Sequence, residues 1–411
     1  ETINGARIVL ETLHRLGVTD MFGYPGGAVI PIYDEIYSFP EIKHYFVRHE
    51  QGAAHAADGY ARVSGRVGVC LATSGPGATN LVTGIMTAYM DSVPMVAITG
   101  QVGRPFIGKD SFQEADIQGI TMPITKHNYL VQDIHDLPRI IKEAYFIAGT
   151  GRPGPVLIDI PKDIQTEKIS MAEYNKLYEV PIHLEGYDPT YKGHQGQIKK
   201  AATLIKNAKR PLIIAGAGVL KSGAMDELKE LAEKAQIPVT NTLVGLGGFP
   251  GDHELALGMV GMHGSVAANN STDEADLVIA AGIRFHDRIT GHPDFFCKKA
   301  KIIHIDIDPA EIDKNVTINV PIVGDLKQVL TELNALVEPT THEAWLEQIR
   351  EWQAEYPMVI PESKNGVLHA QYVLSELNKI AKDDAIIVSD VGQHQMLSLI
   401  HISEPTRPRL I

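Results

Sequence analysis

Arg48, His49 and Glu50 crowd a short interval between an apolar run ending at Val47 and the small residues Gly52, Ala53 and Ala54. Such an interval reads as a strand handing over to a helix. In a parallel sheet that is the carboxyl end of a strand, where α/β proteins place ligands. A carboxylate there can face a bound ligand. It can equally complement the helix dipole from the first turn, worth ~0.3–1 kcal/mol, and position alone leaves both readings open. Ser74-Gly75-Pro76-Gly77-Ala78-Thr79-Asn80 is a glycine-rich turn opening a helix. It can present backbone N–H groups to an anion or let a ligand approach the main chain, and a plain tight turn would read the same. Gly216-Ala217-Gly218 follows a strand but fails as a dinucleotide fingerprint. The next glycine is Gly223, and no acidic residue stands near the ~20-residue offset where a ribose would be held. A nucleotide there must be bound in another way, and Asp306 and Asp308 can meet a ribose or adenine edge. No histidine or cysteine cluster has zinc spacing, and no Gly-x-Ser-x-Gly elbow occurs.

The elements that must carry these residues alternate regularly. Ala6, Val9, Leu10, Leu13 and Leu16 follow helical spacing, with Gly17 where a C′ residue ends a helix. Helices are expected near 28–38, 50–63 and 135–148, and strands at Ile42–Val47, Val67–Ala72, Pro94–Ile98 and Val156–Ile160. Residues 165–195 are polar without a clear period and read as a linker. A second run follows, with strands Leu212–Ala215, Ile237–Thr240, Leu277–Ala280 and Ile302–Ile305 and a helix over 224–235. Residues 335–366, with one amphipathic helix around Trp345 and Trp352, read as an interdomain connector. A third unit starts with a helix over 368–380 and a strand Ala385–Val388. Strands apolar on both faces and separated by helices indicate parallel sheets covered on both sides. Residues 397–411 lack a period, carry two prolines and read as a non-native tail.

With 411 residues the chain is too long for one ordinary core, and a net charge of -13 argues against a nucleic-acid or anionic-membrane surface. Two cysteines cannot build a disulfide framework; Cys70, inside Val67-Gly-Val-Cys-Leu71, reads as a buried inert thiol. No apolar stretch approaches the ~20 residues of a membrane span, and nothing at the N-terminus resembles a signal or transit peptide. A cytoplasmic location is expected, or an organellar one if a targeting segment precedes Glu1.

Taken together, the motifs resemble the acetolactate (acetohydroxyacid) synthase catalytic subunit. They are Phe22-Gly-Tyr-Pro-Gly-Gly-Ala28, Arg48-His-Glu-Gln-Gly-Ala-Ala-His-Ala-Ala-Asp-Gly-Tyr-Ala-Arg62, Ala72-Thr-Ser-Gly-Pro-Gly-Ala-Thr-Asn80, Phe112-Gln-Glu-Ala-Asp116, Gly151-Arg-Pro-Gly-Pro-Val156, Ile160-Pro-Lys-Asp163, Gly261-Met-His-Gly264 and Asp390-Val-Gly-Gln-His-Gln-Met396. The resemblance implies an α/β thiamine-diphosphate-enzyme fold of consecutive doubly wound parallel-sheet domains. A pyrimidine-binding domain would occupy 1–165, a central FAD-binding domain 190–335, and the start of an incomplete pyrophosphate-binding domain 366–396. It implies decarboxylation of pyruvate and condensation with a second 2-ketoacid, pyruvate or 2-ketobutyrate, in branched-chain amino acid biosynthesis. Glu50 would hydrogen-bond N1′ of the cofactor's aminopyrimidine and so promote removal of the thiazolium C2 proton. Gln113 would donate to developing oxyanions, and Lys162 would stand at the channel mouth. Phe112, Met262 and Arg288 match substrate-channel positions, with Arg288 able to fork onto a carboxylate; without the family it reads as a surface ion pair. Gly27, Gln393 and His394 would contact thiamine diphosphate. Arg152, Gly216, Gly261, Met262, His263, Gly264, Arg284, Asp306 and Asp325 match the site of a structural FAD. The Mg²⁺ ligands would lie beyond Met396, so this stretch by itself is expected to be inactive. A homodimer or tetramer with active sites between subunits, and a small regulatory subunit, are the implied partners.

One motif departs from the family. Gly282-Ile-Arg-Phe-His-Asp-Arg288 has His286 where the family usually has aspartate, which alters the local charge beside Arg288. Other readings are a related thiamine enzyme, such as pyruvate oxidase or glyoxylate carboligase, or a non-catalytic flavin-binding fragment. Glu50 argues against the carboligase, which resembles this family but lacks that glutamate.

Overall fold

A computed structural model describes residues 2–361, 366–381, 385 and 388–398. The chain divides into two compact units, one ending at Pro189 and the other beginning at Thr190.

The first unit holds β1 (Thr2–Asn4), β2 (Asp20–Gly23), β3 (Lys43–Phe46), β4 (Gly68–Ala72), β5 (Met95–Gln101), β6 (His127–Leu130), β7 (Pro155–Pro161) and β8 (Lys168–Ser170). Six of them form one sheet in the order β3-β2-β4-β5-β7-β6, with every pairing parallel. β4, β5 and β7 are buried at every position, as strands covered by helices on both faces must be. The helix Gly5–Arg15 is capped by Asn4, whose side chain accepts the Arg7 N–H at 2.7 Å, and Gly17 follows it at φ 88°. The helix Glu50–Ser64 buries a row of alanines, Ala53, Ala54, Ala57 and Ala61. That small-residue face brings the helix so near the sheet that a Cβ on Gly68 would stand 2.1 Å from the Ala57 carbonyl oxygen.

Residues 166–189 differ from the expected linker. β8 pairs antiparallel with β1, and the helix Met171–Glu179 packs back onto the first unit. Its fully buried Tyr174 lies 3.3 Å from the Thr12 hydroxyl, and the Arg15 guanidinium stands over the Tyr174 ring at 4.8 Å. A helix that buries one tyrosine leaves almost no apolar period to read.

The second unit holds β9 (Pro211–Ala215), β10 (Val239–Asn241), β11 (Ala256–Met259), β12 (Leu277–Ala281), β13 (Lys301–Asp306) and β14 (Val320–Val323). These form a second wholly parallel sheet, ordered β11-β10-β9-β12-β13-β14. Helices Gln195–Asn207, Met225–Ala235 and Leu326–Leu336 contribute to one core, and Trp345 and Ile349 of helix Glu343–Glu355 contribute to another. Trp345 is buried and its indole N–H donates to the Pro211 carbonyl at 3.0 Å. The segment read as a connector is thus, up to Glu355, part of this unit's packing. A helix spans Ala370–Ile380; of the strand expected at Ala385–Val388, residues 386 and 387 lie outside the described residues, as does 399–411 of the expected tail. Cys70 is fully buried, and burial pushes its thiol up to about 12.

Candidate active site at a switch point of the first sheet

Each sheet has one place where successive strands are added on opposite sides. β2 lies between β3 and β4, and β9 between β10 and β12. At such a switch point the loops leaving the carboxyl ends diverge and open a crevice suited to a ligand.

In the first unit the loops after β2 and β4 meet through Thr73. Its hydroxyl accepts the Ala28 N–H at 3.1 Å. A Cβ on Gly26 would stand 2.5 Å from the Thr73 methyl, and one on Gly77 2.6 Å from the same atom. Gly27 has nothing within 4 Å of the place a Cβ would take, so open space lies before its main chain. Glu50 opens its helix just after β3. His49 caps that helix, its Nδ1 accepting the Gln51 N–H at 3.2 Å. The Glu50 side chain is buried at 9% exposure, and its Oε2 accepts from the Asn80 amide at 2.9 Å. Its Oε1 stands 3.3 Å from the Cβ that Gly77 lacks. Tyr33 donates to or accepts from His44 Nε2 at 3.1 Å. Burial, and then the Glu50 charge, push its hydroxyl well above the usual phenol range. The arrangement is a fixed carboxylate facing a floor of main chain, able to hold one proton on a flat polar ring. It fits an aminopyrimidine, because the space before the Gly27 main chain is open where a Cβ would intrude, while Gly77 lets the turn pack against the Thr73 methyl.

The loop after β5 brings Gln113 to the same edge. Gln113 is held at φ 58°, and its carbonyl lies 2.7 Å from where a Cβ on Gly75 would stand. Phe112 beside it is 88% exposed. Lys162, exposed, begins the short helix after β7 on this edge too. Arg152 lies elsewhere. It precedes β7, at the amino edge of the sheet, and its Nε donates to Ser92 Oγ at 2.8 Å. Sequence reasoning assigned no role to Thr73, Asn80 or Tyr33. Contacts such as Asn80 with Glu50, 30 residues apart, leave no local spacing to detect.

The second sheet gathers Gly216, Gly261 to Gly264, Arg284, Asp306 and Asp325 at its carboxyl edge. Here the glycines have a packing reason. A Cβ on Gly216 would stand 2.2 Å from the Gly282 carbonyl oxygen, and one on Gly218 2.6 Å from the Gly282 Cα. Gly261 makes the same kind of approach, 2.4 Å to the Arg288 carbonyl oxygen, which also accepts the Met262 N–H at 3.0 Å. Met262 and Arg288 are thereby joined through their main chains, with the Met262 side chain 63% exposed. The Arg288 guanidinium pairs with the neighbouring Asp287 at 3.5 Å, an exposed contact worth ~0–1 kcal/mol. His286 caps this turn, its Nδ1 accepting the Arg288 N–H at 3.2 Å. Asp325 caps the helix Leu326–Leu336, and Asp306 accepts the Asp308 N–H at 2.9 Å. At the end of β10, Asn241 Oδ1 and Thr242 Oγ1 are buried without a hydrogen-bond partner among the described residues. Gln393 and His394 are exposed at the start of the helix Gln393–Ser398.

Comparison with known proteins gives the class first. Residues 3–120 match the thiamine pyrophosphate enzyme N-terminal TPP binding domain, and residues 198–333 the thiamine pyrophosphate enzyme central domain. Acetolactate synthase large subunits of Mycobacterium tuberculosis and Corynebacterium glutamicum are 51% and 50% identical to it, in both cases over 96% of this chain and 64% and 63% of their own length. A probable acetolactate synthase large subunit of Methanocaldococcus jannaschii is 50% identical over 99% of this chain and 70% of its own length. The chain belongs to the acetolactate synthase large-subunit family. It spans just under two thirds of the length of the first two of these relatives.

Proposed function

We propose that this chain serves in an acetolactate synthase catalytic subunit. That enzyme decarboxylates pyruvate and joins the two-carbon unit to a second pyruvate or to 2-ketobutyrate, giving 2-acetolactate or 2-aceto-2-hydroxybutyrate for branched-chain amino acid biosynthesis. The observation that carries this reading is the buried Glu50 carboxylate, steadied by Asn80 and facing a crevice whose floor is main chain. Bound there, thiamine diphosphate would supply the electron sink that decarboxylation needs.

The chain's own residues do the rest. Glu50 Oε1 holds a proton at N1′ of the pyrimidine while Asn80 keeps Oε2 occupied. Gly27 lets the ring lie on the main chain. The Gln113 amide donates to oxygens that gain charge, Phe112 walls the substrate, and Lys162 draws its carboxylate inward. Arg288 forks onto the carboxylate of the second ketoacid. Gln393 and His394 would contact the diphosphate, which Mg²⁺ would accompany; among the described residues no group of three or more His, Cys, Asp or Glu is placed to hold a metal ion. FAD fits the second unit as a structural group, because the net reaction transfers no electrons. The unpartnered Asn241 and Thr242 oxygens suit its polar edges, with the carboxyl-edge residues of that sheet around it.

A homodimer or tetramer with active sites between subunits, a small regulatory subunit and a cytoplasmic location complete the proposal. Among the described residues no helix is long and apolar enough to cross a membrane. The test is anaerobic incubation of the gene product carrying this chain with pyruvate, thiamine diphosphate, Mg²⁺ and FAD. A product that yields acetoin on acid treatment is expected, with the oxidised flavin spectrum unchanged. Bleaching of the flavin by pyruvate, without an acetoin-forming product, would contradict the reading.

A further inference from the structure

Asp159, near the carboxyl end of β7, is only 2% exposed and takes no part in the chemistry at Glu50. Its oxygens meet two neutral groups. The Thr99 hydroxyl donates to Oδ1 at 2.7 Å and the Gln101 amide to Oδ2 at 2.8 Å. Burial pushes the carboxyl up to about 7, against the pull of those two hydrogen bonds, with Asp116 adding like charge. A carboxyl held this deep is costly unless its bonds secure something.

What it secures is the direction of one amide. Gln101 Nε2 donates its second hydrogen to the Ala115 carbonyl at 2.9 Å, and Gln101 Oε1 accepts the Val102 N–H at 2.9 Å. With acceptors on both sides of the nitrogen and a donor at the oxygen, one orientation satisfies all three. Gln101 ends β5, and Ala115 lies near the close of the loop that carries Phe112 and Gln113. Two residues before Ala115, Gln113 presses its carbonyl onto the Gly75 turn in a left-handed backbone conformation. Such a conformation costs about 1–3 kcal/mol and persists only where its surroundings enforce it.

We propose that Asp159 is a positioning residue for Gln113: through the Gln101 amide it latches the Ala115 end of the loop, and so keeps Gln113 seated against the Gly75 turn. The functional half of this rests on the reading of Gln113 as an active-site donor. The latch does not require a charge. Thr99 can turn its hydroxyl to accept, so a neutral carboxyl donates to Thr99 through its O–H, or an asparagine through its N–H, while the remaining oxygen still receives Gln101.

The test compares Gln101→Met, Asp159→Leu and Asp159→Asn by amide hydrogen exchange in this chain, and by turnover in the gene product that carries it. Gln101→Met, which keeps the packing volume, is expected to speed exchange over 111–116 roughly tenfold while the amides of β5 and β7 keep their rates. Asp159→Leu does the same if it folds, and Asp159→Asn stays within about twofold of the parent. Turnover falls about tenfold in Gln101→Met, with thiamine diphosphate affinity within about twofold. Unchanged exchange over 111–116 in Gln101→Met overturns the latch, and so does faster exchange spread over both strands. Local release with normal turnover upholds the latch and overturns the role given to Gln113.

Discussion

Asp159 and Glu50 are two buried carboxyls on one sheet edge, and their surroundings give them different work. Glu50 stands at the crevice with one oxygen taken by Asn80; Asp159 lies between Thr99 and Gln101. The raised carboxyl of Asp159 has a thermodynamic consequence with a definite sign. Its folded value, about 7, lies above the ordinary aspartate value of 3.8. The neutral form is therefore the one folding favours, and its contribution is fully present below about pH 4 and lost as pH rises through about 7. Asparagine cannot ionise and escapes that loss. Asp159→Asn should gain stability relative to the parent as pH rises from about 4 to about 7, on the order of a few kcal/mol. Urea unfolding of the first unit at the two pH values measures it. A difference that does not change with pH would mean that Asp159 ionises normally. Glu50 stood out in the sequence as a charge where a strand meets a helix, although position alone left a helix-dipole role equally open. Thr73, Asn80 and Gln101 were illegible as site residues, since each acts through a partner distant in sequence.

At the scale of elements, legibility followed burial. β4, β5, β7, β9 and β12 are buried along their whole length, and each corresponds to an apolar run in the sequence. β6, an edge strand with no fully buried residue, and the one-tyrosine helix Met171–Glu179 offer no such run. Gly216 and Gly218 are instructive for another reason. They resemble part of a nucleotide fingerprint, yet both are required by the close approach of Gly282, itself at φ 63°. An alanine at 282 would strain the backbone and drive a Cβ to 2.5 Å from the Gly218 Cα. Gly282→Ala should therefore destabilise the second unit by about 2–4 kcal/mol and weaken FAD binding at least tenfold, with the first unit's unfolding unchanged. Thermal unfolding and flavin fluorescence titration would show this. Unaltered flavin affinity would mean that the β9–β12 crevice does not hold the dinucleotide.

At the scale of the whole molecule, two parallel sheets each keep one switch point, and the residues singled out by motif fall at the carboxyl edge of one sheet or the other, Arg152, Gln393 and His394 excepted. The net charge of -13 leaves anion binding to local devices such as helix starts and single cations. If FAD is held by the second unit alone, saturation at ~100 times its dissociation constant should stabilise that unit by ~2.7 kcal/mol. The first unit's transition should not move. Calorimetry with and without FAD separates the two, and a shift confined to the first unit would refute the assignment.

The most direct measurement is acetolactate formation by the gene product carrying this chain, compared with its Glu50→Gln variant, at saturating thiamine diphosphate, Mg²⁺ and FAD. Glutamine keeps the shape and the hydrogen bond region but cannot hold the proton as a carboxylate does, so turnover should fall by about 10²–10⁴-fold while thiamine diphosphate still binds. Turnover of the variant within a few-fold of the parent would contradict the role of Glu50, and with it the proposed chemistry.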